Sequence, residues 1–593
     1  MKKHPIGFWI VFSVILLLML ALLELNKNTL PGFLLAFLAA GAYLYLCHTS
    51  AASGRKGAGM LCLLCWLALF AAAFLLTQPP VRAVPAAEGK DLDPSRIVAT
   101  ANGRVQGVVT SDGSVEVFAG IPYAAPPVGD LRWREPQPAE DWEGVRICDH
   151  FAPMSMQPTN TTLYNSLAQI IGYHDYRISL TDNYVPPVSE DSLYLNIWRP
   201  AGDVRDLPVL VFIHGGSLQT GQPWYGDYSG EGLAREGIIV VNMGYRLGIF
   251  GYLADEELMA ESRHGTTGNY GMLDQIMALQ WVQDNIGSFG GDPDNVTLSG
   301  ESAGAAAVSA LCTSPLASGL FRRVILESST VASAEPPHSF RLLDEAFESG
   351  RALRERYGVS SIAELRALPA EKLVGEASTQ HHMTVDGYVL TETPYDSYRR
   401  GVHNEEAILH GYNSEESAPF VMFSQASMKD YEQRVRRYFS EYADEVLEIY
   451  PAGSDDTAKT YWAEIYGAVF FDYPHYCLNR LAVENDIQVW EYYFSKTNGR
   501  LGPWHSGEEV YFYGNIPADS GLYDVRDREL GRQMSAAFVS FISRGDPNGE
   551  ELPFWEENRD SSRLMNFGDT TEMIDEREHA LFAVLDRMQG FGS

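Results

Sequence analysis

The sequence predicts an α/β protein: a large, mostly parallel sheet flanked by helices, preceded by three membrane-spanning helices. Three observations predict it. Strand-like and helix-like segments alternate through the middle of the 593-residue chain, the pattern of parallel strands joined by helical crossovers. Two glycine-rich turns directly follow apolar strand-like runs, and such turns are where an open α/β sheet carries its functional groups. Three apolar runs of bilayer-crossing length precede all of this.

The runs are 6–23, 30–47 and 58–76. A cleaved signal peptide would account only for the first, and no persuasive small-residue cleavage site follows it. Lys2 and Lys3 precede the first run, and Arg55 and Lys56 lie between the second and third. The first loop offers only Lys27 beside Glu24. This asymmetry predicts a cytoplasmic N-terminus and, after three crossings, an extracytoplasmic remainder. The Pro- and Ala-containing stretch after Thr77 has the composition of a tether. The expected division is therefore a membrane region at 1–78, a linker at 79–94 and a catalytic domain at 95–593.

Within that domain the expected strands are 209–213, 237–242, 296–299 and 323–327, later joined by 407–411 and 488–494. An amphipathic helix is expected at 273–286, and a second helix begins just after Ser302. Strand 296–299 runs into Gly300-Glu301-Ser302-Ala303-Gly304, a G-x-S-x-G pentapeptide between strand and helix. Small residues flank the serine because the backbone must turn sharply, lifting the hydroxyl off the sheet at a helix N-terminus. Ser302 is thus the candidate nucleophile. The earlier strand ends in His214-Gly215-Gly216-Ser217, a turn that exposes backbone N–H groups. Acyl transfer needs such donors for the oxyanion of its tetrahedral intermediate, and losing one costs about 3–4 kcal/mol.

A serine needs a base near neutrality, which a carboxylate-oriented histidine supplies. In chain order the carboxylate and histidine should follow the serine. Two loops fit: Gly411-Tyr-Asn-Ser-Glu415-Glu416 after one strand, and Gly502-Pro-Trp-His505 after another. His505 is the best base, whereas His410 and His475 sit in or beside apolar runs and read as core residues. Position alone leaves the acid open between Glu415 and Glu416.

The formal net charge is −33, and the few charges of the first 80 residues are mostly basic, so the remainder is still more acidic. Nucleic acid is excluded as a partner on that ground. The cysteines show no metal-ligand spacing, and Cys62-x-x-Cys65 lies inside an apolar run. Neither a metal nor an organic cofactor is implied. The sequence leaves the oligomeric state open.

These residues resemble the type-B carboxylesterase and lipase family, which includes the cholinesterases, across about 98–582. The serine signature matches the stretch from Asn285 to Gly304, and a second signature matches Glu190-Asp-Ser-Leu-Tyr-Leu-Asn-Ile-Trp198. The resemblance implies an α/β-hydrolase fold, and it puts the acid on Glu416 and the base on His505. It puts the oxyanion donors on the backbone N–H groups of Gly216, Ser217 and Ala303, and an auxiliary acid beside the nucleophile on Glu301. Ser217 replaces a glycine or alanine usual there, which implies narrower acyl room. The resemblance also implies ion pairs Arg132–Glu190 and Arg246–Asp274. The family commonly bridges two cysteines where this chain has Ser155 and Ser192, so that loop is not covalently closed. Its apolar piece 167–173 is expected either as a mobile lid or as a packed surface loop. The cholinesterase tryptophan of this loop is missing, which argues against choline esters.

The reading is a membrane-anchored serine hydrolase of small-molecule carboxylic esters, acting through an acyl-enzyme. The alternatives are a lipase acting on longer acyl chains at the membrane surface and a non-catalytic adhesion or receptor ectodomain. The retained serine, histidine and carboxylate weigh against the last.

Overall fold

The computed structural model describes residues 6–53, 58–78, 84–87, 93–159, 187–376, 379–421, 424, 427–498, 501–518, 521–559, 563–575 and 580–591. These divide into two compact units, one containing the N-terminal helices and the other residues 84–158 and those from 188 onward. The expected lid or surface piece 167–173 lies outside the described residues.

In the first unit, helices α1 (Ile6–Leu25), α2 (Leu30–Ser53) and α3 (Ala58–Leu76) are each long and apolar enough to cross a membrane. They are apolar around their whole circumference, as a lipid-facing helix must be; Leu17, Leu38 and Leu64 point outward. Inward, the Tyr43 and Trp66 rings stack with centroids 4.6 Å apart. Asn28 closes one end by donating from Nδ2 to the Phe74 carbonyl at 2.7 Å and the Thr77 hydroxyl at 2.9 Å. In an apolar surround each unsatisfied polar group is costly, so these bonds fix how the helices meet.

The second unit is built on a 13-stranded sheet. In chain order the strands of this unit are β1 (Pro94–Thr100), β2 (Gly103–Val109), β3 (Val115–Pro122), β4 (Val145–Ile147), β5 (Met154–Ser155) and β6 (Val188–Ser189). They continue with β7 (Tyr194–Pro200), β8 (Leu207–Ile213), β9 (Ile239–Met243), β10 (Gly291–Glu301), β11 (Arg323–Glu327), β12 (Phe340–Leu342) and β13 (Met383–Val385). The last four are β14 (Ala407–Asn413), β15 (Gln488–Phe494), β16 (Arg563–Phe567) and β17 (Thr571–Asp575).

The main sheet runs β1-β2-β3-β7-β9-β8-β10-β11-β14-β15-β16-β17, with β4 on β2. From β9 to β16 neighbouring strands are parallel, whereas β1, β2, β3, β7 and β17 join their neighbours along this order antiparallel, and β4 lies parallel to β2. Central strands are buried on both faces, which is why they read as continuous apolar runs. On β8, Val209, Val211 and Ile213 enter one core and Leu210 and Phe212 the other. On β11, Val324 and Leu326 take the first and Ile325 the second.

Two expectations shift. Strand 296–299 is the end of the longer β10, whose pairing with β8 changes register between Gly291 and Val296. The expected amphipathic helix is Tyr270–Asn285, starting earlier than expected, with a narrow exposed stripe at Gln280 and Asp284. Its polar Asp274 reaches no solvent because Arg246 clamps it, Nε to Oδ2 at 2.8 Å and Nη2 to Oδ1 at 2.7 Å. The expected Arg132–Glu190 pair also forms, with Nε 2.6 Å from Oε1 and Nη2 2.5 Å from Oε2. None of the six cysteines is joined in a disulfide.

Candidate active site

The β10 strand ends in a turn that only small neighbours permit. A Cβ on Gly304 would overlap the Ile213 carbonyl of β8, and one on Gly300 would run into the Gly304 backbone. Ser302 sits between them with φ 53° and ψ −126°, a conformation that costs a side-chain-bearing residue about 1–3 kcal/mol and persists only when its surroundings enforce it. The enforcement includes the Ser302 N–H, which donates to the Glu327 carbonyl of β11 at 2.8 Å. Helix Ala303–Leu311 begins at the next residue.

Three groups then line up. His505 Nε2 lies 2.8 Å from Ser302 Oγ, and its Nδ1 lies 2.5 Å from Glu416 Oε2. Glu416 comes from the loop after β14, where its Oε1 accepts the Asn413 N–H at 2.8 Å. That bond folds the loop back on itself and aims the carboxylate inward. Glu415 points the other way, accepting the Trp504 indole N–H at 3.0 Å near the surface. The His505 ring is held between Phe420 and Phe471, with centroids 5.2 Å and 5.0 Å away. His410 and His475 are buried together, Nδ1 to Nδ1 at 2.9 Å, as core residues.

The Gly215–Ser217 turn abuts the serine: a Cβ on Gly215 would fall 2.9 Å from Ser302 Cβ. Gly216 has φ 104° and Ser217 φ 56°. Among the described residues the N–H groups of Gly216 and Ser217 have no acceptor. The Ala303 N–H lies in the first turn of its helix, where no intrahelical acceptor exists. Three backbone donors are thereby left around Ser302.

Glu301 lies behind the serine, accepting the Ser506 hydroxyl at 2.6 Å, with Oε1 3.3 Å from His505 Nε2. Burial pushes its carboxyl up to about 7, opposed by His505. Burial likewise pushes Glu416 up to about 8, opposed by the Ser328 hydroxyl and the Asn413 N–H. A positive charge on the ring 2.5 Å away would act in the opposite sense and favour the ionised carboxylate.

One residue of this site escaped the sequence reading. Glu508 is fully buried and accepts the Ser328 hydroxyl at 2.9 Å, the Tyr492 hydroxyl at 3.2 Å and the Asn413 amide; burial raises it to about 7. It bonds Asn413, whose own N–H holds Glu416. The only sequence signal was its place three residues after His505. Glu327 and Glu509 are buried nearby and pushed well above the usual carboxylate range by burial and by neighbouring carboxylates. Among the described residues no cluster of His, Cys, Asp and Glu has the arrangement of a metal site.

The model of the carboxylesterase family matches residues 94–582. A fumonisin B1 esterase of Sphingopyxis macrogoltabida is 34% identical over 510 residues, covering 82% of this chain and 88% of that protein. Mouse carboxylesterase 1C is 30% identical over 515 residues, covering 80% and 90%. Among solved structures, the Geobacillus stearothermophilus carboxylesterase EST55 is 30% identical with a TM-score of 0.70, covering 82% of this chain and 99% of that one. A PNB esterase is 27% identical, also at 0.70, covering 84% and 100%. With its α/β-hydrolase sheet and its serine at the strand–helix turn, the chain belongs to the carboxylesterase family and is a carboxylic ester hydrolase.

Proposed function

We propose that Ser302, His505 and Glu416 form the catalytic triad and that hydrolysis runs through an acyl-enzyme. The observation that carries this is the unbroken hydrogen-bonded line from Glu416 through His505 to Ser302 Oγ. His505 Nε2 takes the Ser302 proton as Oγ attacks the ester carbonyl. The resulting oxyanion is held by the N–H groups of Gly216, Ser217 and Ala303, and the imidazolium by Glu416 and Glu301. His505 then gives the proton to the departing alcohol. Water, deprotonated by His505, attacks the acyl-serine, and collapse of the second tetrahedral species releases the acid and restores Ser302.

We further propose that the apolar helices anchor the enzyme with its N-terminus in the cytoplasm. Residues 79–94 tether a catalytic domain of residues 95–593 on the outer side. The charge asymmetry around the three helices supports that orientation, and the substrate is a small-molecule ester. The membrane anchor favours one second reading, a lipase that takes longer acyl chains at the membrane surface.

The test is hydrolysis of p-nitrophenyl esters from acetate to palmitate by the full chain in detergent, beside Ser302→Ala. A burst of nitrophenol stoichiometric with enzyme, absent in the variant, is expected. Rate falling beyond short acyl chains selects the esterase, and activation by lipid interfaces selects the lipase. Equal turnover by wild type and Ser302→Ala would overturn the triad.

A further inference from the structure

Ser302 is flanked by two chemically opposite neighbourhoods. Behind it stand the carboxylates Glu301, Glu416 and Glu508. In front of it, at the Gly216–Ser217 turn, stands His381, with His382, His338 and Arg341 grouped around it.

The short parallel pair β12–β13 brings them there. Arg341 lies opposite Thr384, and the Met383 N–H donates to the Ser339 carbonyl at 2.9 Å. Asn269 grips β13 from the side, donating to the Thr384 carbonyl at 2.6 Å and accepting its N–H at 2.9 Å. Both strands are entered from the same end, so the residues just before them, His338 and His381-His382, emerge side by side. His381 Nδ1 donates to the carbonyl of Ser217 at 3.1 Å, on the very residue whose N–H is a proposed oxyanion donor. The His382 ring packs on His381 with centroids 4.1 Å apart. His338 donates from Nε2 to the Phe470 carbonyl at 3.2 Å, and Phe471 separates its ring from that of His505.

Arg341 completes the group. It is buried and is held by neutral acceptors, the Tyr252 carbonyl at 2.7 Å, Thr384 Oγ1 at 3.2 Å and Gln380 Oε1 at 3.3 Å. The other buried guanidiniums of this region, Arg132 and Arg246, each grip a carboxylate. Among the described residues no carboxylate lies within ion-pair distance of Arg341, and only Glu345 acts on it from further away. Burial and the adjacent His381, Arg341 and His338 push His382 down to about 3. Mutual destabilisation of that kind is what an anion placed among the four groups would relieve. On a chain of net charge −33, this concentration of basic groups reaches the turn beside Ser302 through His381.

We infer that His338, Arg341, His381 and His382 form an anion-recognition subsite, and that the preferred substrates are esters carrying a second, ionised carboxylate close to the reacting ester. This rests on the serine-hydrolase reading above. The ionised group lies on the acyl side, in a half-ester of a dicarboxylic acid, or on the alcohol side, in an acylated hydroxy acid. Both present the same carboxylate to the same donors.

The experiment is pH-stat hydrolysis by the full chain in detergent at constant ionic strength, comparing neutral ethyl butyrate with two charged esters, monoethyl succinate and acetoxyacetate. Wild type should favour at least one charged ester by about tenfold in kcat/KM, the scale of one or two charge-assisted hydrogen bonds, and the favoured one identifies the side. His382→Gln should lower the charged-to-neutral ratio by about tenfold, mainly through KM. Arg341→Gln should do the same, and succinate should inhibit wild type competitively and His382→Gln more weakly, which reads the subsite even where the arginine variant folds poorly. Hydrolysis of ethyl butyrate at a rate equal to or above both charged esters, or a ratio unmoved in His382→Gln, overturns the subsite and leaves the triad standing. Failure to cleave any of the three esters overturns both.

Discussion

The hydroxyls of Ser155 and Ser192 meet at 2.9 Å, and Ser155 Oγ also lies 2.6 Å from the Tyr245 carbonyl. They stand where relatives of this family commonly place a disulfide, and a buried hydrogen bond now occupies the same junction. A hydrogen bond contributes about 1 kcal/mol, whereas closing 37 residues covalently restricts the unfolded chain by about 2–4 kcal/mol. The double variant Ser155→Cys/Ser192→Cys should therefore oxidise spontaneously and raise the melting temperature of the catalytic unit by several degrees. Thiol titration with and without reductant checks the bond. Two persistently free thiols would mean that the Cβ atoms are not positioned for one.

Glu415 and Glu416 are adjacent and chemically identical, so exchanging each for Gln isolates orientation. Glu416→Gln leaves the histidine neutral-partnered and prone to the wrong tautomer, and a loss of about 10³–10⁴ in kcat is expected. Glu415→Gln alters only a surface acceptor for Trp504 and should stay within about twofold, since exposed single contacts carry little energy. Steady-state kinetics on p-nitrophenyl acetate decides, and comparable losses in both variants would refute the assignment.

Those two glutamates also mark how far sequence reasoning reached. Ser302, Gly216 and His505 were legible because each lies in a glycine-rich turn after an apolar strand, a local pattern. Which of Glu415 and Glu416 faces His505 was not local: it depends on the Asn413 N–H folding the loop inward, and only the family resemblance pointed to Glu416. Glu508 was invisible for the same reason, since its partners Ser328, Asn413 and Tyr492 converge from three separate strand ends. The central parallel strands were plain as apolar runs, but β1, β2 and β4 were not, because each is only partly buried and mixes polar with apolar residues. Helix Tyr270–Asn285 does keep an exposed polar stripe at Gln280 and Asp284, but its polar Asp274 and Gln275 are fully buried. Sequence periodicity cannot see that Arg246 from a distant turn neutralises the aspartate.

The buried carboxylates give the catalytic unit an unusual pH response. Glu301 and Glu508 are raised to about 7 from an ordinary value of 4.5, so between those values the folded state binds more protons than the unfolded one. Stability then falls as pH rises through that window, and the full penalty is present above about pH 8. The catalytic unit should melt higher at pH 5.5 than at pH 8.5. Glu508→Gln should flatten the difference by roughly 1–3 kcal/mol, because the amide remains neutral at both pH values. Melting temperatures across pH for wild type and variant test this; a wild type more stable at pH 8.5 would contradict it.

Arg246 and Asp274 make the sharpest stability prediction. Both are almost wholly buried, at 3% and 0% side-chain exposure, and Asp274 accepts three bonds from Arg246, including its backbone N–H at 3.0 Å. Burial raises the Asp274 carboxyl and the guanidinium opposes it, so each charge is tolerated only because of the other. Removing one partner leaves an uncompensated ion in a low-dielectric core, which costs about 3–5 kcal/mol. Removing both leaves none, and the penalty should largely vanish. Asp274→Asn and Arg246→Met should each destabilise strongly, while the double variant should recover about half or more of the loss. Denaturant unfolding of the three variants measures the coupling; strictly additive losses would mean that packing around the Arg246 stem, and not charge pairing, is what Asp274 supports.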